Sequence, residues 1–297
     1  NIYVGGYFTN IGGQAKKYLA KIDALSGTAS SWNPNPNGNV LKILLNGNKV
    51  YIAGNFSLIG GQARNYLAEL DNNTGLASSW NPNPNNSIYA MALSEQSLYL
   101  GGWFNQIGGQ TRKYLAAVDL TSGNPTSWNP NINAAVSAML INGNTLYVGG
   151  SFNSLGIHTR NYLAALDVNT GNATSWDPNS DSPIEKLAVH GTNIYAAGSF
   201  TNIGGQARNR LAAIDASSGN ATSWNPSPNN GVNAIAIDGS TVFVGGYFTN
   251  ISGQPRNKLA ALDISTAAAT AWNPNPNGDV TDLVIDGAST MYVAGSF

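Results

Sequence analysis

The chain has 297 residues, of which 42% are hydrophobic and only 10% are charged, and its formal net charge at pH 7 is -1. This length and apolar content argue against disorder and allow one large domain or two ordinary ones. The near-neutral charge gives no basis for nucleic-acid binding, the lack of Cys excludes disulfides, and no apolar run reaches the roughly 18 residues of a membrane helix.

The first elements of the chain are predicted to be β-strands. "IYVGGYF" at 2–8 has neither the charged start nor the long apolar stretch of a signal peptide, so it reads as an extended segment. "YLAKID" at 18–23 follows after the loop "TNIGGQAKK", and the turn "ALSGT" then leads to Trp32. Because a strand opens the chain without a leader, we expect residues 1–297 to be a piece of a longer, multidomain protein.

The segment after Trp32 is predicted to form two hairpins. "NPNPNG" at 33–38 ends the preceding strand, because Pro has no amide donor and holds its predecessor in extended geometry. "VLKILLNGNKVYIAGNF" at 40–56 places an Asn-Gly turn between two apolar segments, which is a strong hairpin signal. "NYLAELDNNTGLASSW" at 65–80 supplies the second hairpin. One unit therefore holds four short strands, which we name A to D in chain order.

Six such units follow one another with a period of 48 residues. A Trp ends each unit, and these residues are Trp32, Trp80, Trp128, Trp176, Trp224 and Trp272. We number the repeats 1 to 6 by the Trp that ends them. Four short strands per repeat, some apolar on both faces, are typical of propeller blades, since each blade is covered by its neighbours. The sequence predicts an all-β fold, a six-bladed β-propeller of four-stranded antiparallel blades, with residues 1–297 as a single domain.

The six Trp residues are interpreted as fasteners between blades. A blade cannot bury its faces alone, and an indole at the end of the outer strand buries about 200 Å² when it docks onto the next blade. Stacking against a sugar or a base is the alternative use of the same rings. Pairs of small residues such as Gly5 and Gly6 are expected to let neighbouring backbones approach closely.

Strand B is copied at both ends of the chain, as "IYVGGYF" at the start and as "MYVAGSF" at 291–297. In one hypothesis, strand A at 280–285 completes the first blade beside residues 1–8 and closes a six-bladed ring without an open edge. In the alternative, residues 1–297 are one part of a longer array of repeats that forms more blades.

Two stretches resemble known families. "LAALDVNTGNATSW" at 163–176 resembles the tryptophan-docking motif of quinoprotein propellers. "YVGGYFTNIGGQAKKYLAKID" at 3–23 and its copies resemble the propeller repeats of large bacterial surface and secreted proteins, a family of unknown function also called delta-sixty repeats. The second resemblance implies an extracellular or cell-surface module of an adhesin-like protein, and it offers no chemistry to transfer.

The quinoprotein resemblance raises a quinone-dependent dehydrogenase as a hypothesis, which the residues argue against. Such enzymes have eight blades and often a vicinal Cys pair over the cofactor, whereas this chain has six Trp repeats and no Cys. It also lacks a matching set of carboxylate and Asn ligands for calcium and quinone. We therefore expect no catalytic residues, no enzymatic activity and no cofactor.

The longest connections are predicted to share one end of each sheet. Strand directions alternate, so the B-to-C and D-to-A loops emerge together, and we call this end the loop face. The candidate ligand-binding residues are basic and amide residues of the B-to-C loops: Asn10, Gln14, Lys16, Gln62, Arg64, Gln110, Arg112, Arg160, Gln206, Arg208, Gln254 and Arg256. A basic face fits an anionic polysaccharide or the acidic surface of a partner. In the alternative, each Arg only braces its glycine-rich loop.

The opposite end of each sheet carries one Asp per repeat: Asp23, Asp71, Asp119, Asp167, Asp215 and Asp263. Each Asp is expected to cap its own turn through side-chain-to-backbone hydrogen bonds. Calcium binding is the alternative, although the neighbouring Asn and Thr residues supply too few carboxylates for it. A basic end and an acidic end would also allow head-to-tail self-association.

Two loops depart from the repeat pattern. "SLGIHTRN" and "WDPNSDSPIEK" place His158, Asp177 and Asp181 on the loop face. These residue types could form a metal or acid–base site, but drift within single loops explains them better, and we predict no metal site.

The favoured function is a non-enzymatic, extracellular binding or adhesion module, lectin-like in its sharpest form, which contacts a glycan or a protein surface. Repeated loops would offer one weak site per blade, and multivalent contact would then raise the avidity. The alternative is a structural spacer or filament-forming module. Neither nucleic-acid binding nor membrane insertion is expected.

Overall fold

The computed structural model describes residues 1–287 and 290–297 of the chain. These residues form strands, turns and loops, and no helix among them could cross a membrane. The protein divides into two compact units, Asn1–Val136 and Ser137–Phe297. The predicted all-β class is confirmed, while the number of blades and the single domain stay predictions.

Besides three short loop hairpins, the first unit contains one two-stranded and two three-stranded antiparallel sheets. The two-stranded sheet belongs to repeat 1 and pairs Ile2–Gly5 with Leu19–Ile22. Strands A, B and C are Val40–Asn46, Lys49–Gly54 and Leu67–Asp71 in repeat 2, and Ile88–Leu93, Ser97–Gly102 and Leu115–Asp119 in repeat 3. Each B-to-C loop forms a short hairpin, and these are Asn10–Ile11 with Gln14–Ala15, Leu58–Ile59 with Gln62–Ala63, and Gln106–Ile107 with Gln110–Thr111.

The second unit repeats this arrangement. Strands A, B and C are Val136–Asn142, Thr145–Gly150 and Leu163–Asp167 in repeat 4, Ile184–His190, Asn193–Gly198 and Leu211–Asp215 in repeat 5, and Val232–Asp238, Thr241–Gly246 and Leu259–Asp263 in repeat 6. Val136, the first residue of this set, falls on the border of the first unit. The loop hairpins are Ser154–Leu155 with His158–Thr159, Asn202–Ile203 with Gln206–Ala207, and Asn250–Ile251 with Gln254–Pro255.

The fourth strand of each repeat is reduced to a single bridge. In repeat 2, Ala77 bridges Leu70, and the Ser78 amide donates to the Glu69 carbonyl at 3.0 Å. The chain then leaves the sheet, because the Ser78 carbonyl accepts from the Arg64 guanidinium instead of a ladder partner. The other bridges are Ile22 with Ala29, Val118 with Pro125, Leu166 with Ala173, Ile214 with Ala221, and Leu262 with Ala269. The segment at the position of strand D therefore runs beside strand C but does not form a continuous strand.

The hydrophobic core lies between consecutive sheets. In strand B of repeat 2, Val50, Tyr51 and Ile52 are fully buried, although their side chains point alternately to opposite faces. Tyr51 belongs to a cluster that also contains Leu98 and Leu100 from the sheet of repeat 3. Burial on both faces is thus confirmed, and it explains why these strands are not amphipathic.

The last described hairpin pairs Val280–Ile285 with Met291–Gly295, its neighbour in sequence. The closure hypothesis assigned Val280–Ile285 to the first repeat, beside residues 1–8, and this pairing does not bear it out. A local hairpin closes a much shorter loop than a pairing across the chain, so its entropic cost is lower.

Candidate functional site

The Trp residues join consecutive sheets within each unit. Trp80 is 3% exposed, packs edge-on against Tyr51 with ring centroids 5.3 Å apart, and donates from Nε1 to the Asp119 carbonyl of the next repeat at 3.0 Å. The same indole-to-carbonyl bond links Trp32 to Asp71, Trp176 to Asp215, and Trp224 to Asp263. Trp128 is also buried, against Tyr99. These contacts agree with the interpretation of the rings as fasteners, which stays a prediction, and Trp272 differs from the other five in being 39% exposed.

The Asn-Pro phrases after Trp32, Trp80, Trp176 and Trp224 hold the B-to-C loop of the next repeat. The Pro34 carbonyl accepts from the Gly60 amide at 2.7 Å. Asn37 Oδ1 accepts from the amides of Ser57 and Leu58 at 2.8 and 3.0 Å. Asn85, Asp181 and Asn229 make the equivalent bonds in later repeats. The phrase is therefore first of all a structural connector between the two kinds of loop on the loop face.

The predicted Arg residues are engaged with backbone carbonyls. Arg112 donates from Nη1 to the Thr111 carbonyl at 3.0 Å and from Nη2 to the Thr126 carbonyl at 2.8 Å. The corresponding pairs of acceptors are Ala63 and Ser78 for Arg64, Thr159 and Thr174 for Arg160, Ala207 and Thr222 for Arg208, and Pro255 and Thr270 for Arg256. These contacts correspond to the bracing role, because each guanidinium connects its B-to-C loop to the carbonyl of the residue two positions before a Trp. A ligand contact for them stays a prediction.

Two of the basic residues are buried within the fold. Arg64 is 9% exposed, and burial lowers the pKa of its guanidinium. Lys16, which occupies the equivalent position in repeat 1, is also buried and donates from Nζ to the Trp32 carbonyl at 3.1 Å. The charge of the loop face is thus less accessible than its sequence suggests.

The predicted amide residues lie at the surface of the same loops. Gln62, Gln110, Gln206 and Gln254 are exposed at the tips of the short hairpins. Gln14 is exposed as well, and its Nε2 donates to the Ala29 carbonyl at 2.8 Å, while Asn10 donates from Nδ2 to the Thr9 hydroxyl at 3.2 Å. The structure confirms where these side chains lie, and their role in binding stays a prediction.

An open cavity of ≈ 360 Å³ lies on the loop face of the first unit. It is lined by Asn65, Tyr66, Asn83, Pro84, Asn85, Gln106 and Gly109, which come from a B-to-C loop, the D-to-A loop and the B-to-C loop of the next repeat. Its size is within the range of about 300 to 1,000 Å³ that is typical of small-molecule sites. The sequence predicted these loops but none of these seven residues, because their meeting depends on contacts between repeats.

Tyr66 has an unusual backbone conformation in this cavity, with a φ of 61°. The Leu67 amide donates to the Asn65 carbonyl at 2.7 Å, which closes a three-residue turn around Tyr66. A bulky side chain in this left-handed region costs about 1 kcal/mol or more. The equivalent residues Tyr18, Tyr114, Tyr162, Arg210 and Lys258 share the conformation, with φ values from 61° to 64°. No residue pattern in the sequence marked this feature.

The Asp residues at the opposite end of each sheet cap their turns, as predicted. Asp71 Oδ1 accepts from the amides of Asn73 and Thr74 and from the Thr74 hydroxyl, at 2.7 to 2.9 Å. The backbone bond from Thr74 is the main cause that lowers the pKa of Asp71. Within residues 1–287 and 290–297, no three His, Cys, Asp or Glu side chains form a group that could hold a metal ion. Calcium binding therefore has no further support from the structure and stays untested.

The residues of the two divergent loops have partners within the protein. Arg160 Nη1 lies 3.5 Å from Asp177 Oδ2. Asp181 is occupied by the Thr201 amide and hydroxyl and by Asn202. His158 is exposed and lies in the short hairpin, paired with Leu155. Both carboxylates thus have partners in the loops, and the interpretation as loop drift stays a prediction.

Acid is expected to weaken the fold through two of these carboxylates. Hydrogen bonds led by that from the Ser217 hydroxyl lower the pKa of Asp215 to about 2. Burial raises the pKa of Asp181, but bonds from Thr201 and Asn202 outweigh burial and lower it to about 2. Because both values lie below the ordinary 3.8, this contribution to stability is complete above pH 4 and is lost as the pH falls towards 2.

Urea midpoints measured between pH 5 and pH 2 should therefore fall with decreasing pH. The double variant D181N/D215N should be less stable at pH 5 and should lose less stability on acidification. An equally steep fall in the double variant would contradict the assignment to these two groups.

The comparisons with known families agree with this architecture. Residues 157–296 match the family described as outer membrane protein assembly factor BamB, and residues 1–29 and 48–73 match the β-propeller domain of unknown function DUF5122. No curated protein matches the chain. The chain is therefore built of β-propeller repeats of a kind whose function is unknown, with quinoprotein-like similarity, as both sequence resemblances indicated.

Solved structures show the same fold at low sequence identity. A chain of the mitotic checkpoint complex has a TM-score of 0.67 at 11% identity, with 94% of this chain and 80% of that chain covered. The Pan2 WD40 domain of Neurospora crassa has a TM-score of 0.62 at 14% identity, with coverage of 94% and 82%. The extracellular domain of a one-component system from B. thetaiotaomicron has a TM-score of 0.58 at 17% identity, and the match covers 87% of this chain but only 31% of that one. These likenesses show the β-propeller fold alone.

Proposed function

We propose that the chain is a non-enzymatic extracellular binding module, and that its ligand is a glycan bound at the loop face. The observation that carries the proposal is the cavity around Tyr66, where three loops of two repeats meet. Long loops on a rigid β scaffold are the usual place for binding sites. The extracellular placement is supported by the fold shared with the extracellular domain of the one-component system.

The lining of the cavity supports binding over catalysis. Its side chains are three Asn, one Gln, one Tyr and one Pro, with one Gly, and none is a carboxylate, a His or a Lys. General acid–base or nucleophilic catalysis near neutral pH draws mostly on the missing residue types. Amides and a phenol are instead suited to hydrogen bonds with hydroxyl groups.

A binding screen of the protein against immobilised neutral and acidic glycans, with and without calcium, tests the proposal. We expect a specific hit that is lost in N83G, since Gly keeps the φ of 49° that Asn83 adopts and removes only the amide. The matched control is L76Q, because Leu76 is exposed in the C-to-D turn at the opposite end of its sheet. A screen without any glycan hit would contradict the proposal.

A structural spacer or filament module is the second candidate, and the use of the basic and acidic side chains favours it. Basic residues such as Arg112 and acidic residues such as Asp71 make bonds within the fold, as a scaffold requires. Head-to-tail association of the basic and acidic ends would appear as larger species in scattering at high protein concentration and low salt. Monomers alone would argue against a filament.

A further inference from the structure

In every repeat, the residue directly before strand C has a left-handed backbone conformation. This residue is aromatic in the first four repeats and basic in the last two. Tyr18, Tyr66, Tyr114 and Tyr162 are followed by Arg210 and Lys258 at the equivalent positions. Lys258 donates from Nζ to Asp279 Oδ1 at 2.6 Å, and Arg210 donates to the Pro228 carbonyl at 3.3 Å. The basic side chains therefore bond to the adjacent D-to-A loops. A Tyr side chain is uncharged and cannot form an ion pair such as the one between Lys258 and Asp279.

The strained conformation is held in place by the sheet. The Tyr66 amide donates to the Phe56 carbonyl at 2.9 Å, and the Tyr66 carbonyl accepts from the Gly54 amide at 3.0 Å. Strain that the surroundings enforce on a bulky residue is a feature of binding and catalytic sites. Gly or Asn would adopt this φ at lower cost, so the presence of Tyr in four repeats points to a use for its ring.

Exposed aromatic rings stand beside two of these Tyr residues. Tyr7 is 89% exposed and lies 5.8 Å from Tyr18, and Trp103 is 52% exposed and lies 6.0 Å from Tyr114. Neither Tyr7 nor Trp103 is used in the core, and aromatic surface in water is unfavourable. These pairs add a second ring to the loop face of repeats 1 and 3.

The polar groups around Tyr66 are arranged for a neutral ligand. Asn65 Nδ2 donates to Asn83 Oδ1 at 2.9 Å, which leaves Asn65 Oδ1 and Asn83 Nδ2 for other partners. Within the part of the chain that the structure describes, neither of these atoms nor the side-chain amide of Gln106 bonds to protein. The cavity thus offers donors and acceptors beside an aromatic face, and its lining contains no cation.

We infer that the Tyr66 cavity binds one residue of a neutral saccharide, whose apolar face stacks on the Tyr66 ring while its hydroxyls bond to Asn65, Asn83 and Gln106. Tyr18, Tyr114 and Tyr162 place a Tyr ring at the equivalent position, and the repeats of Arg210 and Lys258 do not. The amide of Asn65 is kept beside Tyr162 as Asn161, which bonds to Asn179, whereas Lys17 and Lys113 replace it beside Tyr18 and Tyr114. This inference rests on the proposed function and gives its ligand class. A uronic acid is disfavoured, because its carboxylate would lose water without gaining a cationic partner.

The test is isothermal titration calorimetry of the protein. The neutral probes are mannotetraose, cellotetraose and maltotetraose, and the acidic probe is tetragalacturonate. We expect at least one neutral probe to bind and tetragalacturonate not to bind. The quadruple variant Y18G/Y66G/Y114G/Y162G should weaken that binding by at least about tenfold, since Gly accepts the conformation and only the rings are lost. Y66F should bind like the parent, because it keeps the ring.

The matched control is K258G, which removes a bulky side chain from the same conformation in a repeat without Tyr and should leave the affinity unchanged. Circular dichroism melting of every variant establishes that it is folded. Binding of tetragalacturonate alone would overturn the neutral class and leave the proposed glycan function standing, and no binding of any probe would overturn both. Neutral binding that survives in the folded quadruple variant would overturn the Tyr site.

Discussion

W80A is expected to lower the free energy of unfolding by about 3 to 5 kcal/mol. The substitution empties the space between two sheets, since Trp80 is only 3% exposed and packs edge-on against Tyr51. It also removes the bond from Nε1 to the Asp119 carbonyl. The next repeat fits closely around the indole, because a Cβ on Gly123 would stand 3.2 Å from Trp80 Cδ1. Little collapse into the cavity is therefore expected.

The chain offers a matched control for this experiment. Trp272 ends repeat 6 in the same way and packs against Phe243, but it is 39% exposed. W272A removes less buried surface, so we expect it to cost about 1 to 2 kcal/mol. Urea denaturation, monitored by far-UV circular dichroism, compares the two variants. Equal losses in the free energy of unfolding would contradict the view that Trp80 stabilises the protein by contact with the following sheet.

G54A is expected to destabilise the protein by about 3 kcal/mol, although it adds one methyl group. A Cβ on Gly54 would stand 2.2 Å from the Asn39 carbonyl oxygen and 2.9 Å from the Val40 Cα. Both atoms are backbone atoms, one in Asn39, which directly precedes strand A, and one in Val40, its first residue, next to the register shift between Val40 and Lys42. The methyl group cannot be accommodated by a side-chain rotation, so the two strands would have to separate.

Gly6 is the equivalent residue of repeat 1 and serves as the control. There a Cβ would have only ordinary contacts, the nearest at 3.7 Å from Phe8 Cδ1, because Ile2–Gly5 pairs only with Leu19–Ile22 in its sheet. G6A should therefore change the stability by about 0.5 kcal/mol or less. Thermal and urea midpoints of both variants provide the measurement. A G54A protein as stable as G6A would mean that the strands do not approach as closely as described.

Features encoded in short stretches were predictable from the sequence. The hairpin turn at Gly47 depends on two residues and on a φ of 57° that Gly adopts freely. The bonds of the Asp71 cap come from the three residues that follow it. The Trp period showed that each unit must bury its faces against another unit. These signals are local or strictly repeated, so they do not depend on the details of packing.

The use of the Arg residues was not predictable in the same way. Sequence shows a positive charge in each B-to-C loop, and it favours neither a ligand nor a backbone carbonyl as its partner. The acceptor of Arg112, the Thr126 carbonyl, lies 14 residues away on the segment that leaves the sheet. This segment leaves the sheet after the single bridge between Val118 and Pro125, which the sequence did not predict.

By itself, the sequence determined the all-β class, the period of 48 residues, the order of the strands, the Trp positions and the Asp caps, because each depends on local backbone preferences or on exact repetition. Only the tertiary structure decided which charges are buried, that Val280–Ile285 pairs with its sequence neighbour, and that Tyr66 meets Asn83 and Gln106 in one cavity. The physical reason is that these properties arise from the packing of one repeat against the next, where residues about 20 to 40 positions apart compete for the same space and the same hydrogen bonds.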